Sequence, residues 1–104
     1  MIANVEVSAD GPGVLELPIT FSAKLIGDVS VMGTDKFWYE FEDRGIYPRH
    51  RQEVVSGRDA SFTTTYSQVS VGEYVMKVQV YVDVFGWKGW LIADTEYKFK
   101  LQSI

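Results

Sequence analysis

The stretch Glu73-Tyr74-Val75-Met76-Lys77-Val78-Gln79-Val80-Tyr81-Val82-Asp83 decides the fold. Tyr74, Met76, Val78, Val80 and Val82 alternate with Val75, Lys77, Gln79, Tyr81 and Asp83, a period of two that matches a strand and no helix face. Apolar side chains stand on both sides of the alternation, which fits a long central strand with a neighbour on each flank. Working back from it, Ala60 to Tyr66 is a second strand segment, its Phe62-Thr63-Thr64-Thr65 run suited to a half-buried pleated surface. Lys36 to Glu42 puts Phe37, Tyr39 and Phe41 on one side and Trp38, Glu40 and Glu42 on the other. Leu17 to Ile26 does the same with Ile19, Phe21, Ala23 and Leu25, and Pro18 must sit at its beginning or at an edge.

The remaining segments are shorter. Asn4 to Ser8 offers Val5 and Val7 to one face before the cluster Ala9-Asp10-Gly11-Pro12-Gly13 ends it. Between Tyr47 and Gly57, Pro48 and Arg49-His50-Arg51 read as a loop or edge, followed by a short strand at Glu53 to Val55. Beyond the central strand, Phe85-Gly86-Trp87-Lys88-Gly89-Trp90 reads as the turn, and Thr95 to Leu101 as the closing strand with Tyr97, Phe99 and Leu101 facing inward. About seven strands with turn signals at this spacing predict an all-β, immunoglobulin-like sandwich of two sheets.

Composition supports one domain and removes several functions. The chain has 104 residues, 46% of them hydrophobic, with nine Gly, three Pro and no Cys. A chain of this size buries roughly 65% of its unfolded surface, enough for a core without metal or disulfide staples. A net charge of −4 argues against nucleic-acid binding, which draws on clustered Lys and Arg. Apolar runs of a few residues fall far short of the roughly 20 that span a bilayer, so no membrane contact is expected of the domain itself. The start MIANVEVSADG has neither a basic n-region nor an apolar h-region and reads as an excised segment rather than a signal peptide.

Two stretches carry a family resemblance. Phe37-Trp38-Tyr39-Glu40-Phe41-Glu42-Asp43-Arg44-Gly45 resembles the Tyr-x-Trp-Asp-Phe-Gly-Asp-Gly signature of PKD (polycystic kidney disease) repeats. Phe41, Asp43 and Gly45 hold the pattern's positions, Tyr39 stands for the Trp, and Glu40 and Glu42 replace an Asp and a Gly. Thr65-Tyr66-Ser67-Gln68 followed by Gly72-Glu73-Tyr74-Val75-Met76-Lys77-Val78-Gln79-Val80 is similar to the family's Thr-Tyr-x-x-x-Gly-x-Tyr-x-Val-x-Leu-x-Val run, with two extra residues before the Gly. Leu17-Pro18-Ile19-Thr20-Phe21 is similar to the opening of this domain in the melanosomal and glycoprotein-nmb group of membrane glycoproteins. The resemblance implies a secreted or cell-surface location, adhesion-type contacts with protein or carbohydrate partners, and tandem neighbours in a longer glycoprotein chain. Asn4 is the only Asn here and is followed by Val5-Glu6, so the chain contains no N-glycosylation sequon. Independently of the family, Gly72 followed by Tyr74 predicts a tyrosine corner, with Met76 in the place where immunoglobulin domains carry a cysteine.

Sites for chemistry are few. A nucleophilic triad has no Cys to use, and its base would have to be His50, the only His, which reads as a solvated loop residue or else as a pH-sensitive contact. One His and no Cys cannot make a structural zinc site. Glu40 and Glu42 read as a solvated face, since a glycosidase pair needs carboxylates from separate elements, whereas Asp43, as the resembled motif implies, starts the turn after the strand and accepts backbone amides; a calcium site at Asp43 with Glu42 needs more oxygens than are visible. No cofactor is expected. Phe85, Trp87, Lys88 and Trp90 read either as a lid over the open end of the core or as an exposed binding tip. Trp38 reads as an outer-face contact or, with the register shifted by one, as the core Trp.

The sequence therefore predicts a noncatalytic interaction or spacer module locked by Tyr39, Phe41, Asp43, Tyr66, Gly72, Tyr74, Met76 and Val78. Two further readings stand beside it. One is a carbohydrate-binding accessory domain using Trp87, Trp90 and Trp38. The other is an assembly module pairing through an edge strand at Glu53 to Val55 or Val5 to Ser8.

Overall fold

The computed structural model describes residues 3–47 and 49–104. Pro48, expected to break the chain ahead of the fourth strand, lies outside them, as do the first two residues. Among the described residues seven strands run β1 (Asn4–Asp10), β2 (Pro18–Ile26), β3 (Phe37–Arg44), β4 (Arg51–Ser56), β5 (Asp59–Thr65), β6 (Gly72–Val84) and β7 (Trp87–Leu101), with a 3-10 turn at Ser30–Met32. They form two antiparallel sheets in the orders β1-β2-β5 and β4-β3-β6-β7. In constant-type immunoglobulin domains the fourth strand borders the fifth. Here β4 has moved across to border β3, and one side of β5 is left open.

The alternation places the core as expected. Ile19, Phe21, Ala23 and Leu25 of β2 face Phe37, Tyr39 and Phe41 of β3 and Met76, Val78, Val80 and Val82 of β6, all buried. Aromatic pairs knit the sheets together: Phe21 of β2 meets Phe99 of β7 edge-on at 5.0 Å, and Phe41 of β3 meets Phe62 of β5 at 5.8 Å. Met76 is fully buried, its flexible thioether filling the interior without a disulfide. The buried Tyr39 hydroxyl donates to the Gly57 carbonyl at 2.6 Å, which satisfies its polar end in the turn between β4 and β5.

The tyrosine corner is present. The Tyr74 hydroxyl donates to the Ser70 carbonyl at 2.6 Å, its ring leaning over Gly45 and toward Phe99. The ring is half-buried and the bond lies at the surface, so Tyr74→Phe is expected to cost about 0.5–1 kcal/mol, read as a lowered urea midpoint at constant m.

Two segments differ from expectation. β1 runs on to Asp10, pairing Ala9 with Phe21 and Asp10 with Thr20, so of that cluster only Gly11 to Gly13 lie outside the strand, and a second turn follows at Leu15 and Glu16. β7 begins at Trp87, eight residues earlier than the closing strand read from the sequence. Register shifts between Val80 and Tyr81 and between Tyr81 and Asp83 break its period-two pattern and bury the consecutive pair Ile92 and Ala93.

Candidate functional site

The turn between β6 and β7 is only Phe85-Gly86. Val84 pairs with Trp87, and both central residues have positive φ, 51° at Phe85 and 86° at Gly86, the signature of a type I′ hairpin. Asp83 braces it: one carboxylate oxygen accepts the Gly86 amide at 3.2 Å, the other the Trp38 indole N–H at 2.8 Å. Gly89 is required on the strand itself, because a Cβ there would lie 2.8 Å from side-chain carbons of both Val82 and Val84. Trp38 is thus an outer-face residue, and the shifted-register alternative is removed.

Phe85 is 98% exposed, Trp87 77% and Trp90 58%. The lid reading is overturned; these rings do not cover the core. Its open end is closed instead by Val29, Ala3 and Ile92, all buried, with half-buried Met32 against them. The hairpin end extends beyond Phe37, which pairs with Val82, so no β3 residue flanks Phe85 or Trp87. A bulky side chain in the left-handed region costs roughly 1–2 kcal/mol, which Asn or Gly at the same position largely avoids. Phe85→Asn is therefore expected to raise unfolding stability by about 0.5–1 kcal/mol in urea titration. Beside Trp90 a shallow groove runs between the hairpin and the Met32–Lys36 segment, so Thr34, Asp35 and Lys36 supply a polar rim to an aromatic wall. These rim residues were not legible as part of the site, since nothing local links a loop after the second strand to a turn some fifty residues later. Asp83 three residues ahead of Gly86 was the one signal of a braced turn.

Lys88 belongs to a different face. Its ammonium joins Glu40 and sits 2.7 Å from Glu53, 4.9 Å above the Tyr81 ring. Glu40 and Glu53 stand directly opposite each other on β3 and β4, and Lys88 cancels that like-charge pair from β7. Hydrogen bonds to Glu40 and then Glu53 hold the Lys88 ammonium above its ordinary value. Burial alone would raise the Glu40 carboxyl, but the bonds from Lys88 and Arg51 outweigh it and hold the group below the usual carboxylate range. Lys88 thus fastens the hairpin to the outer face of its own sheet and is not free at the tip, a correction to its placement in the contact loop. Glu42 is surrounded by Arg44, Arg49 and Arg51 at 3.6–3.8 Å. Glu40 and Glu42 are therefore half-buried and paired rather than simply solvated.

Asp43 also departs from its expected place after the strand. It lies within β3, fully buried, accepting the His50 amide at 3.0 Å and the Tyr66 hydroxyl at 3.0 Å. The His50 ring is three-quarters buried, its Nδ1 3.0 Å from the second Asp43 oxygen but outside hydrogen-bonding angles, and its centroid lies 4.5 Å from that of the Tyr66 ring, the two planes steeply inclined. His50 is in a loop, but it is not the solvated histidine expected. Burial and the Asp43 charge push the Tyr66 phenol well above its ordinary value, so it remains a donor. This cluster ties the loop before β4 to the chain leaving β5, and acts as a structural latch. Among the described residues, His, Asp and Glu do not gather in threes in a metal-holding arrangement.

Comparison with protein-family models and with curated proteins finds no match to this chain.

Proposed function

We propose that this sandwich is a noncatalytic interaction or spacer module of a secreted or cell-surface protein, making protein contacts through the Phe85–Trp90 hairpin. The observation that carries this reading is Phe85: a fully exposed aromatic side chain held at φ 51° in a turn where Asn would cost less. Such a residue works against folding stability and is explained by contact with something outside the chain. Trp87 and Trp90 supply amphipathic area beside it, and the Asp83 brace fixes the turn backbone, so binding has to order the side chains but not the loop. The PKD-like stretches support the extracellular setting and a place among tandem domains.

A carbohydrate partner is the second reading, favoured by the Trp90 groove, where an aromatic wall meets Thr34, Asp35 and Lys36 as a sugar's apolar face and hydroxyl edge require. Binding of the fluorescently labelled domain to cultured cells separates the two. Wild type is expected to bind, a Phe85→Asn/Trp87→Thr/Trp90→Thr variant to lose at least tenfold in apparent affinity, roughly 1.4 kcal/mol, and protease treatment of the cells to abolish binding. Loss on glycosidase treatment, accompanied by a shift in tryptophan emission with soluble glycans, selects the carbohydrate reading. Equal binding by wild type and variant overturns both.

A further inference from the structure

The open side of β5 carries an inference independent of the hairpin. Four strands are sheet edges, namely β1, β4, β5 and β7, and three of them are guarded. β1 carries Glu6 and Asp10, and the Ala3 amide just ahead of it is bonded to Ile92. β4 carries Arg51 and Glu53, and β7 carries Glu96, Lys98 and Lys100 together with two register shifts. From Ala60 to Tyr66, β5 and its next residue have no charge, no Pro and no bulge.

The Leu25 amide donates to the Arg58 carbonyl at 2.8 Å, and alternation from there turns the amides and carbonyls of Ala60, Phe62 and Thr64 toward β2. Those of Ser61, Thr63 and Thr65 point to the open edge. Among the described residues nothing bonds them there; the one neighbour so satisfied is Asp59, whose carbonyl accepts the Ser56 hydroxyl at 2.6 Å. On the outer face the small hydroxyl rows Ser8-Ser22-Ser61 and Thr20-Thr63, the latter bonded at 2.7 Å, leave nothing bulky beside the edge.

We propose that two copies of this chain join antiparallel through β5, merging their three-stranded sheets into one continuous sheet about a two-fold axis at Thr63. The occupant is argued from self-complementarity. In this register Thr63 faces its own symmetry mate and Ser61 faces the partner's Thr65, so the open amides and carbonyls of these three residues are matched, and Asp59 at the rim comes opposite the partner's uncharged Ser67, so no like charges meet. A strand pair alone buries little area, and the dimer is correspondingly weak and concentration-dependent.

Sedimentation velocity on the intact chain from about 10 µM to about 1 mM tests this, a range chosen for a small interface. The weight-average mass is expected to rise from 11.8 kDa toward twice that value. Thr63→Lys, which brings two ammonium groups together on the axis, and Ser61→Pro, which removes an outward amide without touching the β2 ladder, are each expected to weaken association at least about tenfold. Urea unfolding of both variants checks that the fold survives, and Thr63→Lys is read alone where Ser61→Pro does not fold. Dimerisation unchanged in the hairpin triple variant supports the assignment to β5. A wild-type chain monomeric throughout the range overturns the proposal, as does a dimer that both edge variants leave undiminished.

Discussion

Phe21→Ala is expected to lower unfolding stability by about 4 kcal/mol, the largest loss from any single side chain considered. Phe21 is fully buried on β2 and meets two rings of the opposite sheet edge-on, Phe99 at 5.0 Å and Tyr97 at 6.3 Å. Truncation removes both contacts and opens a cavity that the surrounding strands cannot collapse, since Phe21 is paired on both sides, with Ala9 of β1 and Phe62 of β5. Against the roughly 5–15 kcal/mol typical of domains this size, a loss of about 4 kcal/mol is between a quarter and four-fifths of the total stability. Phe21→Leu keeps most of the volume and is expected to cost about 1.5 kcal/mol. Urea titration of both reads the ratio; similar small losses would mean that the sheets are not held by this aromatic seam.

Asp43→Ala is expected to cost about 3 kcal/mol, by a different route. It removes little apolar area, but it strips the buried Tyr66 hydroxyl of its acceptor and the His50 amide of its side-chain partner. Tyr66→Phe in the same background separates these contributions. If the latch is real, Tyr66→Phe costs about 1 kcal/mol in the wild type and nearly nothing once Asp43 is gone, a coupling read from the four urea midpoints. Additive losses would place the two residues in separate environments.

The architecture was legible wherever one face of a strand is buried and the other wet. Phe37, Tyr39 and Phe41, and Ile19 to Leu25, announced their faces because every second residue had to be apolar. β7 was misread because its first half follows other rules: Gly89 is needed for a close approach to Val82 and Val84, and two register shifts place Ile92 and Ala93 in the core side by side. Asp43 was recognisable as a motif position and as an acceptor of a backbone amide, which the His50 amide supplies, but not as buried within β3 or bonded to Tyr66, since these partners come from other elements and become neighbours only on folding. The same holds for Lys88, whose partners Glu40 and Glu53 lie on β3 and β4. The aromatic tip was found by composition, while its exposure depended on how far the hairpin outreaches β3. The transfer of β4 to the second sheet, which opens the β5 edge, follows from pairing choices that no single segment records.

The view that Phe85, Trp87 and Trp90 serve contact and not folding is tested most directly by the unfolding free energy of the Phe85→Asn/Trp87→Thr/Trp90→Thr hairpin, followed by far-UV circular dichroism in urea. A stability within about 0.5 kcal/mol of wild type, or above it, is the expected result, because side chains this exposed have little packing to lose. A loss of more than about 2 kcal/mol, the size seen when a buried side chain is truncated, would show that the rings pack against the sandwich and would contradict the account.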